Sequence, residues 1–213
     1  MATFYNQATL SYNGNTTTSN ITTGELVEVL SATKTAVQTE YQQDDTLTYV
    51  VNILNSGNTT MTGVTISDNL GAYTLNTLTL VPMDYVVGTV RYYVGGVLQP
   101  TPTVTAGPPL TISGLSVPAK GNVTVIYQAK TNDYAPLAQE SSITNTATIN
   151  ANNIANPITA SATVNAYSKP VLRISKSLTP TTVSENGQLT YTFIIQNYGN
   201  TAADEADALI VSD

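Results

Sequence analysis

The chain has 213 residues, no His and no Cys, and its charged residues make up only 10% of the sequence, with a net charge of −7. The lack of His and Cys excludes His-based acid–base catalysis, thiol nucleophiles, disulfides and the usual zinc sites, and we predict no cofactor and no metal. The acidic balance argues against nucleic acid or an anionic membrane as a partner, no apolar run approaches the roughly 20 residues of a membrane span, and no signal peptide is visible.

The elements, taken in chain order, are predicted to be β-strands. The first is "FYNQATLSY", residues 4–12. Period-2 alternation follows in residues 47–53, where every second side chain is apolar, and the same alternation places Val64, Ile66, Val123, Val125 and Tyr127 on inward faces. The segment "TVRYYVGGVLQ" predicts a hairpin that turns at Gly95 and Gly96. The Pro-rich residues 98–109 favour a loop or an edge strand. Short strands with one apolar face and no helical periodicity predict an all-β protein built from immunoglobulin-like β-sandwich units.

The sequence contains an internal repeat. Residues 34–60, "KTAVQTEYQQDDTLTYVVNILNSGNTT", align without a gap on residues 176–202, "KSLTPTTVSENGQLTYTFIIQNYGNTA", at an offset of 142 (176 − 34). The opening strand resembles "SITNTATIN", residues 142–150, at an offset of 139 (145 − 6). We therefore predict an N-terminal strand at 1–22, one complete sandwich at 23–168 and a partial second unit at 169–213. Because that unit lacks its middle strands, we also expect the native chain to continue beyond Asp213.

Polar residues occur on the apolar faces of several predicted strands. Lys34 and its equivalent Lys176 alternate with apolar residues, as do Asp68 and Asp213 at the ends of later strands. The same holds for Asn145 and its equivalent Asn6, which makes six such residues in all. A polar group that is buried without a partner costs several kcal/mol, so a lysine, a carboxyl and a carboxamide are predicted to meet in each unit.

Such a meeting predicts isopeptide chemistry. Burial disfavours charged forms, so the lysine becomes an amine nucleophile and the carboxyl becomes an acid that can transfer protons. Attack of the lysine amine on the asparagine carboxamide, with the carboxyl transferring protons, would release ammonia and join two strands. Glu28 shares the face of Lys34 and is an alternative acid. The alternative interpretation is a buried cluster held only by hydrogen bonds.

The segments "LTYTFIIQNYGNTA", "VTISDNLG" and "ITNTATI" resemble the conserved-repeat family of bacterial surface proteins called domain of unknown function 11. The resemblance covers residues 34–149 and restarts at residue 176. It implies immunoglobulin-like sandwiches in cell-surface or spore-surface appendages, with Lys-to-Asn isopeptide bonds catalysed by Asp or Glu. By this resemblance Lys34 is the amine, Asn145 the carboxamide and Asp68 the acid.

The sequence starts with a segment that matches the last strand of a repeat unit and ends with the first strands of another unit. This arrangement predicts head-to-tail self-assembly. The N-terminal strand would complete the second unit of a neighbouring copy, and Asn6 of one copy could bond to Lys176 of the next, with Asp213 as the acid. We expect an extracellular or spore-surface structural subunit that forms a homopolymer, released by mother-cell lysis since no signal peptide is visible. It would not be an enzyme beyond its own cross-linking.

The alternative function is an adhesin module that binds a host or surface ligand, a glycan or a protein, through its loops or a tyrosine face. The tyrosines of that face would be Tyr85, Tyr92, Tyr93, Tyr127 and Tyr134. Tyrosine is also a common strand residue, which favours the plain structural interpretation. The acidic residues 204–207 predict a solvated turn rather than a calcium site.

Overall fold

A computed structural model describes residues 2–26, 28–152 and 154–213, almost entirely as strands and loops. Within these residues the only helical element is a 3-10 turn at Glu205–Asp207. The N-terminal segment holds the strands β1 (Ala2–Asn6), β2 (Thr9–Tyr12), β3 (Asn15–Thr18) and β4 (Thr22–Leu26). The central unit begins with β5 (Leu30–Ala36), β6 (Glu40–Tyr41), β7 (Thr46–Asn55), β8 (Met61–Asp68), β9 (Tyr73–Leu75), β10 (Leu78–Leu80) and β11 (Met83–Tyr85). It continues with β12 (Arg91–Val94), β13 (Val97–Leu98), β14 (Thr103–Thr105), β15 (Leu110–Val117), β16 (Asn122–Thr131), β17 (Ser142–Asn150) and β18 (Ile158–Ala166). The C-terminal segment holds β19 (Leu172–Thr179) and β20 (Thr190–Asn197).

The central unit is a sandwich of two sheets. The first sheet has the order β13-β12-β16-β7-β5, with β11 also pairing with β16. The second has the order β14-β15-β8-β17-β18-β6. Its pairs are antiparallel apart from β18 with β6. Each sheet turns its apolar side chains toward the other, so the core lies between the two layers.

The predicted alternation places the core residues correctly. On β7 the inward side chains are Leu47, Tyr49, Val51 and Ile53, all with 0% of their surface exposed. On β8 and β16 the inward residues predicted from the sequence are also fully buried: Val64, Ile66, Val123, Val125 and Tyr127. Because successive side chains of a strand point to opposite faces, the sequence pattern was sufficient to orient these strands.

The predicted turn and edge segments of the central unit are also confirmed. Gly95 and Gly96 connect β12 to β13 and both have positive φ, at 53° and 83°, as a two-residue hairpin turn requires. The Pro-rich segment contributes β14, which lies at the edge of the second sheet. An edge position tolerates prolines because one side of the strand needs no hydrogen-bond donors.

The N-terminal segment is a hairpin rather than the single strand predicted for residues 1–22. Strand β1 pairs with β4, and β2 pairs with β3 around a turn in which Asn13 and Gly14 have positive φ. The Asn-Gly pair was a turn signal in the sequence. The apolar side chains of Phe4 and Leu10 are about three-fifths exposed on this hairpin, at 60% and 61%.

The C-terminal segment repeats the first two long strands of the central unit. Strands β19 and β20 form an antiparallel pair in which Lys176 lies opposite Phe193. The equivalent pair in the central unit places Lys34 opposite Val51. Tyr191 is 48% exposed, whereas its equivalent Tyr49 is fully buried. Among the described residues, no other element covers the apolar face of this second pair.

Candidate cross-linking site between the two sheets

The site lies in the core, between the two layers of the central sandwich. The first sheet contributes Lys34 from its edge strand β5 and two tyrosines, Tyr49 from β7 and Tyr127 from β16, which are opposite each other in the strand register. The second sheet contributes Asp68 at the end of β8 and Asn145 from the neighbouring β17. The three residues predicted to carry the chemistry are thus all inward-facing, and they enter one region from both layers.

Lys34 and Asp68 form a direct salt bridge. The Nζ atom of Lys34 lies 2.5 Å from Oδ2 of Asp68, and both side chains have 0% exposure. Burial lowers the pKa of Lys34 from 10.5 to about 8, although the charge of Asp68 and its hydrogen bond oppose that shift. The Lys34 ammonium consequently loses its proton more easily than the ammonium of an exposed lysine.

Aromatic rings surround the amine on the side of the first sheet. Lys34 Nζ lies 4.8 Å from the ring centroid of Tyr49 and 5.8 Å from that of Tyr127. The two rings stack with their centroids 5.6 Å apart. They exclude water from the amine, while their electron-rich faces partly compensate the charge of its protonated form. Burial, and next the charge of Asp68, raise the pKa of both tyrosines above the usual value.

The Asp68 carboxylate is held by groups on both sides. Its Oδ2 accepts a hydrogen bond from the Tyr127 hydroxyl at 2.5 Å, in addition to the contact with Lys34. Its Oδ1 accepts from the backbone N–H of Leu70 at 3.0 Å. Leu70 and Gly71 both have positive φ, so β8 ends in a tight turn that folds its own N–H groups toward the site.

Asn145 is oriented by one donor and one acceptor. Its Oδ1 accepts from the backbone N–H of Gly71 at 3.2 Å, and its Nδ2 donates to the Tyr127 hydroxyl at 3.3 Å. Gly71 has φ +76°, and a Cβ atom there would lie 2.5 Å from Cγ2 of Ile143. Only glycine therefore allows this backbone N–H to approach the carboxamide so closely.

The structure thus brings Lys34, Asp68 and Asn145 into one buried cluster. It adds two groups whose part in the site was not predicted from the sequence, the hydroxyl of Tyr127 and the backbone N–H of Gly71. Tyr127 was grouped with tyrosines of a possible binding face, but Tyr127 and Tyr92 are buried and cannot belong to it, whereas Tyr134 is exposed and Tyr85 and Tyr93 are partly exposed. The alternation with Val123 and Val125 predicted the burial of Tyr127, although not the partners of its hydroxyl. The alternative acid Glu28 is exposed and lies outside the cluster.

A partial copy of the cluster lies in the C-terminal segment. Lys176 forms a salt bridge with Asp213, and its Nζ lies 4.4 Å from the ring centroid of Tyr191 and 5.2 Å from that of Phe193. The side chains of Lys176 and Asp213 are 39% and 52% exposed. Asn6, the predicted partner of Lys176, lies on β1 opposite Thr22, and no hydrogen bond joins it to Lys176 in the described part of the chain.

The acidic residues Asp204 and Asp207 have a structural role. Asp204 accepts a hydrogen bond from the Ala206 N–H and Asp207 accepts one from the Asp204 N–H, so both cap the short 3-10 turn. Across residues 2–26, 28–152 and 154–213 there is no group of three metal-ligating side chains. None of the helical structure found there is long and apolar enough to cross a membrane.

No protein-family model matches the chain, so its resemblance to the conserved-repeat family stays a prediction. No curated protein matches it either. Among solved structures, the chain is similar to the major pilin subunit BcpA of Bacillus cereus, at 13% identity over 92% of this chain and 63% of that chain, with a TM-score of 0.50. A variant of the same subunit gives 11% identity, the same coverage and a TM-score of 0.53.

The pilus backbone protein RrgB of Streptococcus pneumoniae is a third similar structure, at 15% identity over 60% of this chain and 32% of that chain, with a TM-score of 0.47. The chain spans less than two thirds of the length of all three. At such identities the likeness to the Bacillus cereus subunit shows the fold. The predicted all-β architecture of immunoglobulin-like sandwich type is confirmed.

Proposed function

We propose that this chain is a structural subunit of an extracellular or spore-surface filament, and that an isopeptide bond between Lys34 and Asn145 locks its central sandwich. The observation that carries the proposal is the fully buried contact of Lys34 with Asp68, beside an equally buried carboxamide. A plain core would not need three polar side chains at one point, because each costs free energy unless it is paired.

The proposed reaction uses only groups within the cluster. The neutral amine of Lys34 attacks Cγ of Asn145, a new bond forms between Nζ and Cγ, and the bond from Cγ to Nδ2 breaks. Asp68 takes one proton from the Lys34 ammonium to give the neutral amine, and later takes a second from the new amide nitrogen. Both protons go to the departing nitrogen, which leaves as ammonium. The sum is one lysine ammonium and one carboxamide converted to one secondary amide and one ammonium ion.

The bond would join the two sheets and two strands that are distant in sequence. Lys34 lies on β5, the first strand of the unit, and Asn145 lies on β17, its penultimate long strand. A cross-link between them closes a loop of 112 residues (145 − 34 + 1). By analogy with disulfides, constraining a loop of that size stabilises the fold by about 4–5 kcal/mol. A subunit under tension in a filament would benefit from such a constraint.

The uncovered face of β19 and β20 supports a proposal for assembly. In the central unit the hairpin of β17 and β18 covers this position, and Ala147 pairs with Asp68. The N-terminal hairpin β1–β4 carries the same sequence pattern, with Asn6 and Ala8 at the positions of Asn145 and Ala147. We therefore place the N-terminal hairpin of one copy on the C-terminal face of the next, with Ala8 opposite Asp213.

This docking joins two different surfaces of the chain, so it does not close on itself and produces an open filament. It brings Asn6 of one copy toward Lys176 and Asp213 of another, where the same chemistry would make the filament covalently continuous. The fold likeness to a protein described as a major pilin subunit is consistent with this role. The uncovered apolar side chains of both hairpins support it independently, since exposed sheet faces favour association.

Assembly can be tested with the purified chain at increasing concentration and age. We expect filaments by negative-stain electron microscopy and, if the bond forms between copies, ladders that survive boiling in SDS. Asn6→Ala and Lys176→Ala should each abolish the ladder. The matched controls Asn15→Ala and Lys169→Ala replace exposed residues of the same type and should retain it. A chain that stays monomeric under all conditions would instead favour the adhesin function.

A further inference from the structure

The hydroxyl of Tyr127 lies between the proposed acid and the nitrogen that must leave. It donates to Oδ2 of Asp68 at 2.5 Å and accepts from Nδ2 of Asn145 at 3.3 Å. Asp68 itself makes no hydrogen bond to Asn145 among the described contacts, because its oxygens are engaged by Lys34, Tyr127 and the Leu70 N–H. The hydrogen-bonded path by which a proton can pass from the Asp68 carboxyl to Nδ2 of Asn145 therefore runs through the Tyr127 hydroxyl.

The orientation of the carboxamide is fixed independently by the backbone. The Gly71 N–H is shared between two side-chain oxygens, Oδ1 of Asn69 at 3.0 Å and Oδ1 of Asn145 at 3.2 Å. With an N–H donor on that side, Oδ1 of Asn145 points to Gly71 and Nδ2 points to Tyr127. The same N–H lies where negative charge develops on Oδ1 when the amine attacks. A fixed backbone donor at that place stabilises the tetrahedral intermediate in the manner of an oxyanion hole.

We propose that Tyr127 is a catalytic residue of this cross-linking reaction, relaying a proton from Asp68 to the leaving nitrogen of Asn145, while the Gly71 N–H binds the oxyanion. This inference rests on the isopeptide bond proposed above. The geometry assigns protonation of the leaving nitrogen to the Tyr127 hydroxyl, a step that the Asp68 carboxyl would otherwise perform alone.

The steps balance as follows. Lys34 gives a proton to Asp68, and its neutral amine attacks Cγ of Asn145, which places a negative charge on Oδ1. Tyr127 gives its hydroxyl proton to Nδ2 and takes the proton held by Asp68, so that the phenol is regenerated as the bond from Cγ to Nδ2 breaks. Asp68 then removes the surplus proton from the new amide nitrogen and passes it to the departing ammonia, which leaves as ammonium.

Burial favours this concerted role over a free phenolate. Burial is the main cause that raises the pKa of Tyr127 well above the usual value, and the charge of Asp68 adds to it. The hydroxyl therefore stays protonated in the resting site. It can release its proton only while it receives another, which is the behaviour of a relay rather than of an independent acid.

The test compares the rate of ammonia loss, by intact mass after refolding, in the wild-type chain and in Tyr127→Phe. This change removes the hydroxyl and keeps the ring that stacks on Tyr49. Since general acid catalysis contributes about 100-fold to 10,000-fold, we expect a loss of rate of at least about 100-fold. The matched control is Tyr92→Phe, which removes another buried hydroxyl, bonded to the backbone of Ser116 and remote from the cluster. It should react at the wild-type rate.

The outcomes separate this inference from the proposed bond. A wild-type chain that keeps its full mass overturns both. A wild-type chain that loses ammonia together with a Tyr127→Phe chain that reacts equally fast overturns only the relay. If Tyr127→Phe fails to fold, fluorotyrosine introduced at position 127 retains the ring and the hydroxyl. Its greater acidity should change the rate if the phenol transfers a proton, and an unchanged rate would overturn the relay.

Discussion

Lys34 and Asp68 form a salt bridge of 2.5 Å in which neither side chain is accessible to solvent. The two residues come from opposite sheets of the sandwich, so the contact crosses the core. A buried ion pair seldom stabilises a protein more than apolar residues of similar volume would. The proposed cross-link of Lys34 to the buried carboxamide of Asn145 would explain why the pair is present at this point of the core.

The first prediction concerns the energetic coupling of Lys34 with Asp68. In an Asn145→Ala background, where no bond can form, Lys34→Met leaves a buried carboxylate unpaired and should lower the free energy of unfolding by about 3–5 kcal/mol. Adding Asp68→Asn removes that charge and keeps an oxygen acceptor for the Leu70 N–H, while its amide NH2 can donate to the Tyr127 hydroxyl, so the double variant should regain part of the loss. Urea unfolding measures both. Simple addition of the two single effects would show that the residues are not coupled.

The second prediction concerns the pH dependence of the reaction. Lys34 faces Asp68, Tyr49 and Tyr127, and the proton shared by Lys34 and Asp68 is the one that the relay delivers. This proton is lost as the pH rises through the lowered pKa of Lys34, about 8.

The rate of ammonia release should accordingly be flat near neutral pH and fall by about tenfold per pH unit above that value. It can be followed by intact mass after refolding into buffers of different pH. A rate that rises through the same range would mean that the free amine alone limits the reaction, and it would contradict the relay.

The third prediction concerns the backbone at Gly71. Gly71→Ala should slow cross-linking and destabilise the unit, because the new Cβ would lie 2.5 Å from Ile143 and displace the N–H that holds Asn145. Gly88→Ala is the matched control, with φ +81° and open space around its Cβ position. The control should show only the conformational cost, about 1–2 kcal/mol, and the wild-type rate of ammonia loss. Equal rates in the two variants would remove Gly71 from the mechanism.

The fourth prediction concerns Asn55, the first residue of "NSGNT", residues 55–59, which the internal repeat writes again as "NYGNT", residues 197–201. Its buried Nδ2 donates to the backbone carbonyls of Thr59, Val117 and Pro118, and its Oδ1 accepts from the Gly57 N–H. Asn55→Ala leaves buried backbone groups unsatisfied, each at a cost of about 1–3 kcal/mol, and should lower the unfolding midpoint strongly.

The equivalent Asn197 makes similar contacts in an exposed setting. Asn197→Ala should therefore change the thermal unfolding of the central unit little. Equal decreases of the unfolding midpoint in Asn55→Ala and Asn197→Ala would mean that burial does not determine how much these asparagines stabilise the fold. Isopeptide formation should proceed in both, provided that the Asn55→Ala chain folds.

The sequence was sufficient for the fold and for part of the site. Alternation oriented Tyr49 and Tyr127 toward the core, and the same rule placed Lys34, Asp68 and Asn145 inward, where the cost of an unpaired polar group predicted that they would meet. These inferences need only the side of the strand on which each residue lies.

The contacts of the Tyr127 hydroxyl and the Gly71 N–H could not be predicted, because the alternation of residues along a strand gives no distances between strands. That the hydroxyl of Tyr127 bridges Asp68 and Asn145 follows from the stagger of two sheets, and it involves residues far apart in sequence. The N–H of Gly71 reaches Asn145 because of one tight turn after β8. The return strand of the N-terminal hairpin was not predicted, because β3 reads "NTTT" and has no apolar alternation, although Asn13 and Gly14 are a turn signal.

The most direct test of the account is the intact mass of the folded, aged chain, measured under denaturing conditions and followed by peptide mapping. We expect a chain lighter by one ammonia, with a branched peptide that joins Lys34 to Asn145, and the full mass in Lys34→Ala and Asn145→Ala. A wild-type chain of full theoretical mass, with Lys34 and Asn145 recovered in separate unmodified peptides, would contradict it.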